Sequence, residues 1–185
     1  MLLPDDLREK TFAYLKPSLA SRYPPGLVVE RNEQPVLRNL NNGLLVAYVI
    51  EREKGFRYIQ SRDLDVSGIE EPELHECGVR NLAKFARTNL RVERCGAVFA
   101  TFLDGNFEAS LLLIDRLWDH ELTSFVGDRV TVTVPARDVL AFCDATSSEG
   151  LAQLRQIARK TTEVGDHSLT PVLYRRHQRK WAPLI

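Results

Sequence analysis

The sequence predicts an α+β fold in which an antiparallel or mixed sheet carries its helices mainly on one face. Segments with the composition of strands come in pairs separated by short turn signals, which suits antiparallel pairing. A doubly wound parallel sheet would instead need a crossover helix after nearly every strand. Segments with helical spacing lie between these pairs, as expected for an α+β protein.

The composition is that of one ordinary globular domain. The chain has 185 residues, of which 44% are hydrophobic and 27% are charged. This length can bury a core, and this composition excludes disorder as the main state of the chain. We therefore expect a single domain over residues 1–185, with an N-terminal helix and a connector occupying residues 1–26.

The N-terminal region predicts a helix over residues 4–16 and then a connector. Pro4 suits the first helical turn, and Pro17 stops the helix. Two prolines and a glycine at 24–26 then favour a connector, because they fit poorly inside either regular element. A short strand is expected at 27–29.

The next segments indicate an antiparallel meander. Asn41, Asn42 and Gly43 favour a turn because Asn and Gly tolerate positive φ, and Gly55 marks another turn. The run 44–50 is mostly apolar, so we expect a strand that is covered on both faces. The meander after residue 30 then consists of strands at 36–40, 44–50 and 56–60.

The middle of the chain contains the clearest predicted helix, over residues 72–88. It opens at Pro72, and its apolar residues recur at helical spacing. The remaining predicted elements are strands at 90–93 and 97–103, a helix at 107–122, a strand at 130–134, helices at 136–142 and 149–160, and a terminal hairpin of strands 170–174 and 181–184.

Charge and composition exclude several classes of protein. Basic and acidic residues number 25 each, so the formal net charge is zero, and a nucleic-acid partner is not expected. No apolar run approaches the roughly 20 residues of a membrane span, and the acidic N-terminus does not resemble a signal peptide. We expect a cytoplasmic protein without membrane segments.

Motifs for cofactors are missing from the sequence. No Walker loop or GxGxxG motif is present, so no nucleotide cofactor is expected. Cys77, Cys95 and Cys143 are widely spaced, which predicts buried thiols and neither a disulfide framework nor a zinc site. We therefore expect no cofactor and no metal.

An acidic stripe follows the predicted strand at 97–103. Asp104, Glu108, Asp115 and Asp119 could supply oxygen ligands to a cation such as magnesium, and the last two lie one helical turn apart. The alternative is a solvated helix face in which Asp104 caps the helix and Glu108 lies at its positive end. The solvated helix face is the simpler of the two interpretations.

Three further features are candidate sites. Ser110 lies near the apolar side of the predicted helix, where a small residue lets another element approach. Arg137 and Asp138 follow Pro135 at an expected strand-to-helix junction, where backbone N–H groups can hold ligands or a local ion pair can form. The basic run 175–180 suits a solvated hairpin tip or contact with phosphate.

The segments from Asp104 to Ser110 and from Val132 to Leu140, with Gly127 and Asp128 between them, resemble the YtpQ-like family of uncharacterised bacterial proteins. The resemblance covers roughly residues 36–185 and implies a bacterial cytoplasmic α+β domain without an assigned activity. The basic run 175–180 departs from the milder turn of the family. The positions that match the family motifs are Asp104, Gly105, Glu108, Ser110, Pro135 and Asp138.

These observations predict a non-catalytic protein-binding or regulatory module of unknown oligomeric state, since no nucleophile–base pair, metal set or phosphate loop is visible. The alternative is a metal-dependent hydrolase or transferase using Asp104, Glu108 and Asp138. The candidate binding residues are Asp104, Glu108, Ser110, Arg137 and Asp138.

Overall fold

The computed structural model describes residues 3–18, 31–164 and 167–184. The chain divides into two compact units, Met1–Lys84 and Phe85–Ile185. Each unit contains helices and an antiparallel sheet, which confirms the α+β class. The single domain expected over residues 1–185 stays a prediction. The connector at 24–26 and the strand at 27–29 lie outside the described residues.

The first unit is built around a long central strand. One edge of this strand pairs antiparallel with β1, and the other edge pairs with β2 and then with β4. All seven residues of the segment 44–50 are buried, as the apolar run predicted. The described elements of this unit are α1 (Pro4–Lys10), β1 (Thr11–Pro17), a 3₁₀ turn (Arg31–Glu33), β2 (Leu37–Asn39), β3 (Leu44–Arg52), β4 (Gly55–Tyr58), α2 (Ser61–Ser67) and the greater part of α3 (Glu71–Asn89).

The predicted helix over residues 4–16 is wrong in its second half. The helix ends at Lys10, and β1 pairs along its whole length with β3, from Thr11 opposite Ile50 to Pro17 opposite Leu44. A full row of backbone hydrogen bonds and burial on β3 outweigh the local preference for helix. Helix α2 has no counterpart among the predicted elements.

Helix α3 confirms the helix predicted over 72–88 and packs against β1. Asn81 is buried, and its side-chain amide donates to the carbonyl oxygens of Arg8 and Thr11, both at 2.9 Å. Gly78 lies directly over Ala13, where an added Cβ would be 2.9 Å from the Ala13 nitrogen. The helix can approach β1 this closely because Gly78 has no side chain.

The second unit is a six-stranded antiparallel sheet in the order β10-β9-β7-β8-β6-β5. Helix α5 packs on it through a core that includes Val98, Cys143 and Leu154. Cys143 and Cys77 are buried as expected, whereas Cys95 is exposed. The elements are β5 (Arg91–Cys95), β6 (Val98–Phe102), a 3₁₀ turn (Ala109–Leu113), a π-helical turn (Leu117–Glu121), α4 (Thr123–Val126), β7 (Val130–Ala136), β8 (Val139–Asp144), α5 (Ser148–Val164), β9 (Leu173–His177) and β10 (Lys180–Pro183).

The helix predicted over 136–142 is wrong. Strand β7 extends through Pro135 to Ala136, and the next segment is β8, which pairs with β7 and β6. The run Val139–Cys143 is apolar throughout, and such a run has the same pattern in a buried helix and in a central strand. A central position with strands on both sides settles it as a strand.

The single helix predicted over 107–122 is also wrong. The 3₁₀ turn ends at Leu113. The next residue, Ile114, has a φ of −94° and a ψ of 87°, which are not helical, and two short helical pieces follow up to Val126. The Trp118 indole N–H donates to the carbonyl oxygen of Leu111 at 2.8 Å. This side-chain hydrogen bond satisfies a carbonyl group that would otherwise need a partner in a regular helix.

The terminal hairpin is confirmed and extends into the basic run. Strands β9 and β10 pair from Tyr174–Pro183 to His177–Lys180, and Gln178 and Arg179 form the turn with φ values of 48° and 61°. In the described part of the chain no helix combines the length and apolar character that crossing a membrane would require.

Candidate functional site

A buried carboxylate shapes the loop that follows β6. One oxygen of Glu108, Oε1, accepts hydrogen bonds from the backbone N–H groups of Leu103, Asp104 and Gly105 at 2.9, 3.1 and 2.8 Å. Glu108 is only 4% exposed, and Oε2 is buried without a hydrogen-bond partner. Burying that oxygen costs free energy, and the three charge-assisted bonds offset it. Glu108 therefore acts as the internal anchor of the loop.

Asp104 closes the same loop from the solvent side. Its Oδ1 accepts from the backbone N–H groups of Asn106 and Phe107, both at 3.1 Å, and its side chain is exposed. This is the Asx-type bonding by which an aspartate stabilises a turn. Asp104 has the capping role that its position before a predicted helix suggested, although it caps a turn.

Arg137 and Asp138 form the two-residue turn between β7 and β8, since Ala136 pairs with Val139. The expected strand-to-helix junction at this place is therefore wrong, and no helix N-terminus lies here to hold a ligand. The carbonyl oxygen of Arg137 accepts from the Ala109 N–H at 3.0 Å, which joins the turn to the end of the Glu108 loop. The fold thus brings two of the predicted segments together.

The five predicted binding residues, all of them described, do not gather their side chains at one place that the structure shows as a ligand site. The link between their two segments is the backbone hydrogen bond from Ala109 to Arg137. Ser110 and Glu108 are buried, and Arg137 is half-buried. Only Asp104 and Asp138 present exposed side chains. This region therefore holds the loop and the hairpin turn in place, and it offers solvent two separate carboxylates.

No metal site forms from these acids. Among the described residues, which include Asp104, Glu108 and Asp138, no group of three or more His, Cys, Asp or Glu side chains could hold a metal ion. Oε1 of Glu108 is already occupied by three N–H donors. The convergence that the metal-dependent alternative requires is not found.

Two members of the acidic stripe, Asp115 and Asp119, form ion pairs with the basic run. Arg176 donates to Oδ1 of Asp119 at 2.5 Å and to Oδ1 of Asp115 at 2.8 Å, and Arg179 lies 2.9 Å from Oδ2 of Asp119. The hydrogen bond from Arg176 holds the pKa of Asp119 below its usual range. Arg176 and Arg179 of the basic hairpin thus bind carboxylates of their own chain.

The first unit contains a polar cluster that the sequence analysis missed. Arg38 donates to both carboxylate oxygens of Glu71 at 2.8 Å, and the Tyr48 hydroxyl donates to Oε1 of Glu71 at 2.6 Å. The same hydroxyl lies 3.2 Å from Nδ1 of His75. Glu71 and His75 stand four residues apart on α3, and that spacing was the one signal in the sequence.

The geometry of this cluster favours a proton on Nδ1 of His75. The Tyr48 hydroxyl has one hydrogen and gives it to Glu71, so the contact with His75 requires that Nδ1 carries a proton and donates. Burial, and then the charge of Arg38, lower the pKa of His75. The hydrogen bonds from Arg38 lower the pKa of Glu71, and burial raises the pKa of Tyr48. At neutral pH these directions favour a neutral His75 imidazole beside a charged Glu71 carboxylate.

Acidification is expected to destabilise the folded protein through this cluster. The lowered pKa of His75 means that its contribution is complete above the ordinary value of 6.5 and is lost as the pH falls toward the folded value. The contribution of Glu71 is lost in the same direction below its ordinary 4.5. Denaturant unfolding between about pH 7 and 5 should show a shallower loss of stability in His75→Asn than in the wild type. His177→Asn, at an exposed position, is the control, and equal slopes in all three proteins would contradict the assignment.

A polar groove of about 410 Å³ opens beside α1 and α3. Arg80 and Lys84 lie one turn apart on α3, and Arg8 contributes from α1, where Glu73 holds its guanidinium at 2.7 Å. The lining thus carries three cationic side chains and one carboxylate. Its residues are Arg8, Glu9, Phe12, Arg80, Asn81 and Lys84.

Comparison with known proteins gives no relative. No family model, no curated protein and no solved structure matches the chain. The resemblance to the YtpQ-like family therefore stays a prediction.

Proposed function

We propose that the protein is a non-catalytic binding module of the bacterial cytoplasm, and that it recognises an acidic segment of a partner protein. The groove beside α1 and α3 is the observation that carries this proposal. The proposed role is the protein binding expected from the sequence. The proposed recognition surface, however, lies in the first unit and not at the Glu108 loop.

The charges of the groove favour a carboxylate-rich occupant. Arg8 is already paired with Glu73. Beside this ion pair, Arg80 and Lys84 outnumber Glu9 in the lining, although the chain as a whole has no net charge. Arginine and lysine bind carboxylates through charge-assisted hydrogen bonds, and such complementarity sets specificity and the rate of encounter. Phe12 adds one apolar surface against which the stem of an acidic side chain can pack.

The groove is also prepared structurally. The side-chain amide of Asn81 donates to the carbonyl oxygens of Arg8 and Thr11, so the floor is fixed to α1 and β1 before any ligand arrives. The backbone around the groove then needs little ordering on binding, which lowers that part of the entropic cost. The lining is mostly charged and polar, unlike the apolar clefts that enclose small molecules. A peptide segment that stays partly in water suits it better.

Binding of a fluorescein-labelled peptide rich in Asp and Glu tests the proposal by anisotropy. Arg80→Glu/Lys84→Glu is expected to weaken binding by about tenfold or more, because two attractions become repulsions. Arg155→Glu/Arg159→Glu is the matched control, since it reverses two exposed arginines with the same spacing on α5. Affinity should fall with added salt.

Two outcomes would overturn the proposal. The first is equal affinity of the Arg80/Lys84 variant and the wild type for the acidic peptide. The second is complete competition by single-stranded DNA or inorganic phosphate at lower concentrations than the peptide, which would assign the groove to a different class of ligand.

A further inference from the structure

Among the described residues, strand β5 is an edge strand of the sheet of the second unit. It ends the strand order of the six-stranded sheet, and β6 is its paired neighbour. Arg91, Glu93, Arg94 and Cys95 are exposed, and Val92 is half-buried. An edge strand keeps a row of backbone N–H and C=O groups on its outer side, and these can pair with another strand.

We propose that β5 pairs with β5 of a second copy of this chain, antiparallel and centred on Val92, so that two copies share one continuous sheet. The pattern of charges around Val92 supports this occupant. A two-fold axis through Val92 places Arg91 of each copy opposite Glu93 of the other, on one face of the sheet. Both cross-strand pairs are then between opposite charges.

The charges also select the register. Pairing centred on Glu93 would place two glutamates opposite each other, and pairing centred on Arg94 would do the same with two arginines; like charges in this position are destabilising. Within one copy Arg91 already lies 3.8 Å from Glu93 on the same face. The pairing centred on Val92 therefore closes a square of four charges in which every neighbour is of opposite sign.

The exposed ring of Phe102 adds to this face. Phe102 is opposite Arg91 in the β5–β6 ladder, is 40% exposed, and its ring centre lies 5.9 Å from the Arg91 guanidinium. It holds the arginine over the sheet next to the open edge. A five-residue strand buries far less than the roughly 800 Å² per partner of a standard interface, so we expect a weak dimer that forms at high protein concentration.

Sedimentation equilibrium over a wide range of concentration tests the pairing. Arg91→Glu and Glu93→Arg are each expected to weaken the dimer by about tenfold, because two attractive pairs become repulsive. The double exchange Arg91→Glu/Glu93→Arg restores opposite charges across the axis and is expected to return the affinity to within about threefold of the wild type. Arg155→Glu, exposed on α5, is the control for a simple change in net charge.

Mixing the two single variants gives the sharpest result. The Arg91→Glu copy carries two acidic side chains on this face and the Glu93→Arg copy carries two basic ones, so the mixture should associate more strongly than either variant alone. A chain that stays monomeric at all concentrations would overturn the proposal, as would a dimer indifferent to Glu93→Arg. None of these residues lines the groove beside α1 and α3, so this pairing and the proposed peptide binding can fail independently.

Discussion

Replacement of Glu108 by alanine is expected to lower the free energy of unfolding of the second unit by about 4 kcal/mol. The change removes the acceptor of three backbone N–H groups in residues 103–105, and each buried donor left without a partner costs roughly 1–3 kcal/mol. Entry of water and the removal of the buried Oε2 recover part of this cost. Because whole domains are stable by only about 5–15 kcal/mol, the loss is large.

Tryptophan fluorescence during urea unfolding measures this loss directly. Both tryptophans of the chain, Trp118 and Trp181, belong to the second unit, and their rings pack edge-on with centres 4.9 Å apart. Glu108→Gln keeps one carbonyl oxygen as an acceptor and should lose less than the alanine variant. Asp138→Ala changes an exposed carboxylate of the hairpin turn and should stay within about 0.5 kcal/mol of the wild type. An alanine variant as stable as Asp138→Ala would show that Glu108 does not anchor the loop.

The sequence predicted those elements whose pattern has one interpretation. Helix α3 shows apolar residues at helical spacing over five turns, and β3 is an apolar run of strand length bounded by turn residues. Patterns with two interpretations failed. The β1 segment from Thr11 to Pro17 continues a good helix start, and the apolar β8 segment fits a buried helix equally well. Pairing with distant strands decided both, and one sequence does not display that pairing.

The candidate site residues also divide into those that local sequence reveals and those that only long-range contacts reveal. Glu108 and Asp104 stand out in the sequence for their charge and their position at the start of a predicted helix, and the structure gives both of them a structural role in a loop. The ion pair of Arg176 with Asp119 joins residues 57 positions apart, and that of Arg38 with Glu71 spans 33. Such partners meet only after the sheets have formed, so a spacing rule along the chain cannot find them. Of the cluster around Glu71, only the pair Glu71 and His75 could be noticed in the sequence, because these residues lie four positions apart on one helix.

Replacement of Gly78 by leucine is expected to lower the free energy of unfolding of the first unit by about 3 kcal/mol or more. Alanine in place of a helical glycine normally gains up to about 1 kcal/mol. At this position a Cβ would lie 2.9 Å from the backbone nitrogen of Ala13 and 3.3 Å from its Cβ, so α3 would have to move away from β1. We therefore expect Gly78→Ala to lose about 1–2 kcal/mol, a reversal of the usual sign.

Far-UV circular dichroism and hydrogen exchange of the segments 11–17 and 71–84 measure the effect, with Glu76→Ala and Glu76→Leu as matched changes at an exposed position of the same helix. A gain in stability for Gly78→Ala would contradict the close packing of α3 on β1. The tryptophan signal adds a second result, because it reports only the other unit. If Gly78→Leu shifts the tryptophan transition as well, the two units unfold together, as a single domain over residues 1–185 requires. An unchanged tryptophan transition would instead mean that Phe85–Ile185 unfolds on its own.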